Sequence, residues 1–375
     1  MAWRQPLQQL KRNPLARIGA AILIAFYTAV IFAGFVGPYD PYVSQPNGSL
    51  LPPTPVYLRD AGGNWIGPHV YPTTQGPVDL ETGDRPLLVD RSQPSPIRLF
   101  AKGPTYKFWG LIPTDRHLFG TTGPAQFNLL GTDDQARDQL SRLLHGGRIS
   151  MFIGLFGVIV SFPLGMLVGG ISGYFGGWID AVLMRLAEVL MTIPSLYLLV
   201  SLAAVLPAGL SSTQRFLLII VITALINWAG LARVIRGQVL SIKGQTYVQA
   251  ARAMGAGNLS IIVRHILPQT LTYVITAATL SIPSFIVTES VLSIVGLGIQ
   301  QPDPSWGNML SVASDPSIIV LQPWLIWPPA VLIVLTVLAF NLLGDGLRDV
   351  LDPRNSPTLA QGSVTPEAPS LERLA

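Results

Sequence analysis

The run ISMFIGLFGVIVSFPLGMLVGGI, from Ile149 to Ile171, contains no charged residue. As a helix rising 1.5 Å per residue it is long enough to cross the roughly 30 Å hydrocarbon core of a bilayer. Five further segments read the same way: Ile18 to Val36, Ala181 to Leu206, Phe216 to Leu231, Leu271 to Val295 and Pro323 to Leu343. The rest of the chain agrees with a membrane setting. Of 375 residues only 12% are charged, against about 25% in an ordinary soluble domain, and the mean hydropathy is +0.47.

Charge placement predicts an orientation. Lys11, Arg12 and Arg17 precede the first span, which places residues 1–17 in the cytoplasm under the positive-inside rule. That span is too long for the apolar core of a signal peptide and reads as a retained anchor. Six crossings return the C-terminus to the same side. The loop between the fourth and fifth spans then falls inside, and it carries Arg233, Arg236, Lys243, Arg252 and Arg264 with no Asp or Glu. Arg137, Arg142 and Arg148 run against the bias, as long translocated loops are free to do.

Residues 37–130 form an extracytoplasmic insertion with 15 of the 32 prolines. Proline at this density forbids regular helix, and the runs Pro86 to Val89 and Ile97 to Phe100 read as short strands among irregular turns. Residues 131–354 hold the remaining five spans. The tail 355–375, with Pro357, Pro366 and Pro369, reads as disordered and cytoplasmic.

Several classes of chemistry are excluded or unsupported. The absence of cysteine removes disulfides, thiolate metal sites and cysteine nucleophiles. Four scattered histidines give no pair spacing for a metal, and Ser150 and Ser161 lack triad partners. No G-x-x-x-x-G-K-[ST] occurs, so any nucleotide-driven work belongs to another polypeptide. The basic residues form no dense tract, so the net charge of +4 is not read as a nucleic-acid surface.

The cytoplasmic segment 236–268 contains GQTYVQAARAMGAGNLSIIVRHILP, Gly244 to Pro268. Tyr247, Ala250, Ala251 and Met254 stand at i, i+3, i+4 and i+7, one apolar face of a short helix. Gly255 and Gly257 break it, Asn258 or Ser260 can cap a second helix, and Pro268 closes the loop. This is the geometry of either a docking knob or a membrane-surface connector.

The run resembles the EAA loop of importer-type ABC transporter permeases, through Gln249, Ala250, Ala251, Gly255, His265, Leu267 and Pro268. Gln249 stands where the family usually has Glu. Further stretches are similar to the oligopeptide, dipeptide and nickel permeases, in particular the second of their two permease subunits: LLGTDDQARDQLSRLLHGGRIS (Leu129 to Ser150), GYFGGWIDAVLMRLAEVLMTIPS (Gly173 to Ser195), ESVLSIVGLGIQQPDPSWGNML (Glu289 to Leu310) and GDGLRDVLDPR (Gly344 to Arg354). The family usually has Leu-Gly where this chain has Gln135-Ala136. The resemblance implies an all-α integral membrane protein, six transmembrane helices of the importer-type ABC permease fold with an irregular extracytoplasmic insertion. It implies as partners a homologous permease, two ATP-binding subunits and an extracytoplasmic substrate-binding protein, with ATP and Mg used by those partners and no cofactor in this chain. Tyr247, Gln249, Ala250, Ala251, Met254, Gly255, His265 and Pro268 would then couple to the ATPases. The cargo would be di- or oligopeptides, or else nickel or another small solute; an ion-coupled secondary transporter and a membrane enzyme are the rival classes.

Other residues carry two readings each. Glu289, with Ser293 and Trp306, lines the substrate path, or Glu289 bonds a neighbouring helix near the outer surface. Trp306 and Trp324 anchor the outer ends of spans five and six at the interface, or stack on cargo. Glu188 pairs with Arg185 within one helix or serves transport. His265 packs or caps the loop, or titrates. Asp133, Asp134 and Asp138 hold a cation, or pair with Arg137 and Arg142 on an amphipathic surface helix from Gln135 to His145.

Overall fold

The computed structural model describes residues 9–77, 85–108, 111–207 and 209–351; the tail expected over 355–375 lies outside them. The first helix starts earlier than its apolar run. Asn13 accepts from the backbone N–H groups of Leu15 and Ala16 at 3.0 and 3.2 Å, and Pro14 fills the first position, where no N–H is needed. Helix α1 therefore covers Pro14–Ile31, followed by the short α2, Ala33–Val36.

Helix α3 covers Gln139–Phe175, 37 residues, so about seventeen of them project beyond a bilayer core. It packs lengthwise on α6, Ser212–Ile242. Gly165, Gly169 and Gly173 face the carbonyls of Trp228, Ala232 and Arg236, and a Cβ at Gly165 or Gly173 would stand 2.9 or 2.8 Å from those oxygens. Four-residue spacing on both helices lets the backbones touch, the way lipid-embedded helices associate without a hydrophobic drive.

Between them the expected third span is broken. Helices α4, Gly177–Thr192, and α5, Ser195–Ala204, meet at 86°. Pro194 forces Ile193 into extended backbone, ψ 126°. Among the described residues five helices are long and apolar enough to cross a membrane, or six if this bent pair is one span.

Beyond α6 come α7, Thr246–Ala253, and α8, Asn258–Ile261; a π turn over Ile262–Ile266 then joins α8 to α9, Leu267–Ile294. Pro268, expected to close the loop, sits instead in the first turn of α9, and the π turn carries the helix past it. Short helices α10, Trp306–Leu310, and α11, Pro316–Leu321, precede α12, Pro323–Leu351. Gly346 of α12 lies against Ala16 of α1, and Arg348 faces Gln238 and Gln269 across a groove. The start of α1, the end of α12 and the α7–α8 loop thus share one end of the bundle, opposite the insertion.

The insertion has the strands expected within Pro86 to Val89 and Ile97 to Phe100, as Leu87–Val89 and Ser95–Leu99, but orders them and others into sheets where irregular turns were expected. Strands β1 Tyr57–Arg59, β2 Trp65–Val70, β5 Ser95–Leu99 and β8 Phe119–Thr121 form one antiparallel sheet in the order β1-β2-β5-β8. Strands β3 Thr73–Gln75 and β4 Leu87–Val89 form one further pair, and β6 Lys102–Phe108 and β7 Ile112–Arg116 another. Val70, Ala125 and Phe127 make its small core.

Candidate functional site

Two polar centres stand at opposite ends of the bundle. At the loop end, α7 stops through a glycine. Gly255 donates to the Arg252 carbonyl and Ala256 to the Ala251 carbonyl, at 3.0 and 3.1 Å, a Schellman turn that requires the left-handed conformation at its central residue. Gly255 supplies it with φ +84°. Gly257 has φ −67° and precedes Asn258 as the N-cap of α8, so neither Asn258 nor Ser260 caps.

The two turns of α7 are divided by side. Val248 and Ala251 are buried, and Val248 belongs to a cluster drawn from α3, α6, the π turn and α9 that includes Tyr174, Ile235, Ile262 and Leu267. Tyr247, Gln249, Ala250 and Met254 face away, Met254 being 82% exposed. This corrects the expected four-residue apolar face. Ala251 shares the inward side with Val248 because a short helix needs an attachment to the bundle, and the small side chain permits close seating. His265 lies half-buried in the π turn, its Nδ1 without a hydrogen-bond partner.

A clamp that the sequence reading missed ties this loop to the end of α3. The Arg252 guanidinium donates to the Tyr174 hydroxyl at 2.9 Å and lies over the Tyr174 ring at 5.3 Å. The same hydroxyl donates to Asn258 Oδ1 at 3.0 Å. Lys243 Nζ donates to the Gly173 carbonyl at 2.9 Å, and Gln249 Nε2 to the Lys243 carbonyl at 3.1 Å. Alongside, Arg236 grips Asp180 through two bonds of 2.6 Å, and Ser172 donates to the same carboxylate. An aromatic hydroxyl between two glycines, Gly173 and Gly176, was the available signal.

At the insertion end the structure brings Glu289, Ser293 and Trp306 together, but as a buried node rather than a lining. Ser150 and Ser293 donate to the two Glu289 oxygens at 3.1 and 2.7 Å. Those hydroxyls in turn accept from the Trp306 and Ile299 N–H groups, each at 3.0 Å. A carboxylate inside a membrane bundle is costly unless its oxygens are engaged. Here they are engaged by the chain itself, and Glu289 is wholly buried. Trp306, expected at the interface or on cargo, is 1% exposed with its indole N–H on the Leu143 carbonyl.

Beside the node, Asp133 receives Arg137 at 2.7 Å and Arg142 at 3.2 Å. Arg142 also reaches the carbonyls of Pro41 and Pro302 and the Gln301 side chain, so one guanidinium joins insertion, α3 and the loop after α9. Asp138 caps α3 by accepting from the Ser141 N–H at 2.7 Å, and burial pushes its carboxyl up to about 7. The surface helix expected over Gln135 to His145 begins only at Gln139, because the preceding residues form a tight loop in which Ala136 holds φ +59°. Glu188 and Arg185 do pair, exposed, at 3.2 Å.

A third feature was not foreseen. A groove of about 570 Å³ between α6, α9 and α12 is lined by Gln238, Gln269, Thr272, Tyr273 and Thr276 among others. A smaller hollow of about 130 Å³ continues past Tyr273 to Asn227, Ser281 and Ser284. The three- and four-residue spacing of hydroxyls along α9 was its signal.

Comparison with known proteins shows the family. Residues 161–357, more than half the chain, match the family of binding-protein-dependent transport system inner membrane components. Residues 2–53 match the N-terminal transmembrane domain of oligopeptide transport permease C. The chain belongs to this inner-membrane permease family. Among similar proteins, the dipeptide transport system permease of Bacillus subtilis is 42% identical over 233 residues, 62% of this chain and 70% of its own length. The glutathione transport system permease of Pectobacterium atrosepticum is 40% identical over 232 residues, 62% and 74%. The oligopeptide transport system permease of Bacillus subtilis is 41% identical over 233 residues, 62% and 73%. The permease match contains the clamp, α7, Glu289 and the α6–α9 groove. The β strands of the insertion lie between the two matched regions.

Proposed function

We propose that the chain is one of two homologous permease subunits of an ATP-driven importer of di- or oligopeptides, with both termini in the cytoplasm. Two ATP-binding subunits, which use ATP and Mg, dock on the exposed face of α7 formed by Tyr247, Gln249, Ala250 and Met254. Gln249 offers hydrogen bonds there in place of the ion pair of a Glu. An extracytoplasmic binding protein delivers cargo to the insertion side. The observation that carries this reading is the division of α7, one side buried against the bundle and the other exposed, with Gln249 bonded to the Lys243 carbonyl beside it.

Motion of α7 reaches the helices by two routes. Val248 and Ala251 press on α6 and α9, and the Arg252–Tyr174–Asn258 clamp pulls on the end of α3. Switching requires that these contacts differ between inward- and outward-open states. The path itself runs past Asn227, Gln238, Thr272, Tyr273, Ser281 and Ser284. Neutral amides and hydroxyls both donate and accept, which suits a peptide backbone, and Arg348 adds one cation to the lining of the groove. The relatives named for dipeptide, oligopeptide and glutathione transport support that cargo class. The test is uptake of a peptide mixture into vesicles holding the chain with its partner subunits, with ATP inside and binding protein outside. Retention of peptides only when ATP is present is expected; transport by the chain alone would sink the reading.

A further inference from the structure

The outer insertion turns one hairpin back toward the membrane. Strand β6 runs antiparallel to the exit of the first helix: Tyr106 lies against Gly34, and the rings of Phe108 and Phe32 stand 5.4 Å apart. Phe100 meets Phe35 at 6.1 Å, and Leu118 N–H donates to the Phe35 carbonyl at 2.7 Å. Phe108 pairs with Ile112 across the strands, so the end of the hairpin is level with Phe32, inside the apolar stretch that begins at Ile18.

The side chains there are wrong for water. Leu111 is 81% exposed, Leu99 72%, Ile112 62% and Phe100 59%, the last held at φ +54°, a conformation bulky residues rarely keep. Basic residues surround them. From Ser95 to Arg116 the chain has Arg98, Lys102, Lys107 and Arg116 against the single acid Asp115. Among the described residues strands β6 and β7 pair only with each other, and a two-stranded hairpin is marginal in water without an apolar surface to pack on. Its unpaired edges would be equally costly in hydrocarbon. The headgroup layer satisfies both conditions: water and phosphates for the edges and cations, acyl chain ends for the apolar tip.

We propose that the β6–β7 hairpin is an interfacial anchor resting on the outer leaflet, with Leu99, Phe100, Leu111 and Ile112 in contact with lipid and Lys102 and Lys107 on anionic headgroups. The surface continues the lipid-facing side of α1, and the proposal rests on α1 being a membrane span. The chain contains no cysteine, so single-site labels can be placed without background. The full chain carrying L111C, I112C, I24C or W65C, each labelled with bimane, is reconstituted in phosphatidylcholine–phosphatidylglycerol vesicles with and without lipid bearing a spin label high on its acyl chain. Ile24 is an exposed residue of α1 and Trp65 an exposed residue of the outer sheet. The expected result is strong lipid quenching at 111, 112 and 24, with quenching by aqueous iodide at 65. In K102Q/K107Q the lipid quenching at 111 and 112 should fall by several-fold. Iodide quenching at 111 and 112 equal to that at 65, with 24 still quenched by lipid, would overturn the anchor and leave the span intact, as would burial from both quenchers against another subunit. Loss of lipid quenching at 24 as well would overturn both.

Discussion

The two ends of this helix bundle spend their polar groups differently. At the outer end Glu289, Asp133, Arg137 and Arg142 are buried and turned on one another or on backbone carbonyls and hydroxyls of the same chain. At the loop end the clamp around Tyr174 is half open to solvent, and α7 leaves Tyr247 and Met254 exposed. A region knit by buried ion pairs resists rearrangement, since parting any pair strands a charge. A region of exposed hydrogen bonds and one small apolar seat can move at modest cost. The insertion end holds the insertion, α3 and the loop after α9 in one arrangement, and the proposed function makes the loop end the part that is pushed.

The contrast is broken most severely at its rigid pole. Asp133→Ala leaves Arg137 and Arg142 buried without their carboxylate, with an expected loss of about 3–5 kcal/mol, read as collapse of the melting temperature and of folded yield in detergent. A melt within a degree of the parent would show the node to be dispensable. Glu289→Ala removes the acceptor of two buried hydroxyls and opens a small void. The expected loss is about 2–3 kcal/mol, whereas Glu289→Gln, which keeps one acceptor, should recover most of it. If both variants transport peptide normally while melting lower, the node is structural and not part of the path.

At the mobile pole the effects on stability shrink while those on transport grow. Gly255→Val forces a β-branched residue to the left-handed backbone, at least about 1–2 kcal/mol for an L residue. Uptake should be abolished with membrane insertion unchanged, and Gly255→Asn, better tolerated at positive φ, should restore part of it. Normal uptake by the valine variant would remove α7 from the mechanism. Tyr174→Phe keeps the ring under Arg252 and deletes the hydroxyl shared by Arg252 and Asn258, a cost of about 1 kcal/mol. The expected signature is less peptide moved per ATP hydrolysed by the reconstituted complex, with the melt almost unmoved. An unchanged ratio would mean that α3 receives no push through this residue.

How much of this was legible in the sequence follows from the range of the interactions. The spans were readable because an apolar run of twenty residues is a local property, and Pro194, whose ring disfavours helix at Ile193, is a local cause of the break between α4 and α5. The knob on α7 was readable as a helix, but its inward side was not: Val248 is chosen by a seat that α3, α6 and α9 build together. The two readings of Glu289 stayed open for the same reason. Ser150 lies 139 residues from Glu289, and nothing local tells a paired carboxylate from one facing a channel. The sheet of the insertion escaped because its strands are three to six residues long and pair across proline-rich turns.

Ala136 offers the finest probe of the rigid end. The resemblance to peptide permeases places a glycine at this position, and the structure explains the preference: Ala136 sits at φ +59°, closing a turn in which its N–H donates to the Asp133 carbonyl and its carbonyl accepts from Gln45 of the insertion. An L residue there costs about 1–2 kcal/mol relative to the right-handed region, while glycine forfeits about 0.4–1 kcal/mol through the unfolded chain. Ala136→Gly should therefore gain roughly 0.5–1 kcal/mol, visible as a melting temperature a degree or two higher in detergent, with transport unaltered. If the outer node tolerates no adjustment, the gain should vanish in the Asp133→Ala background, since the turn then has no fixed geometry to favour glycine. Equal gains in both backgrounds would show that the turn holds its shape without the ion pairs, and the rigidity of the outer end would have to be credited to the packing of α3 against α9 and α12 instead.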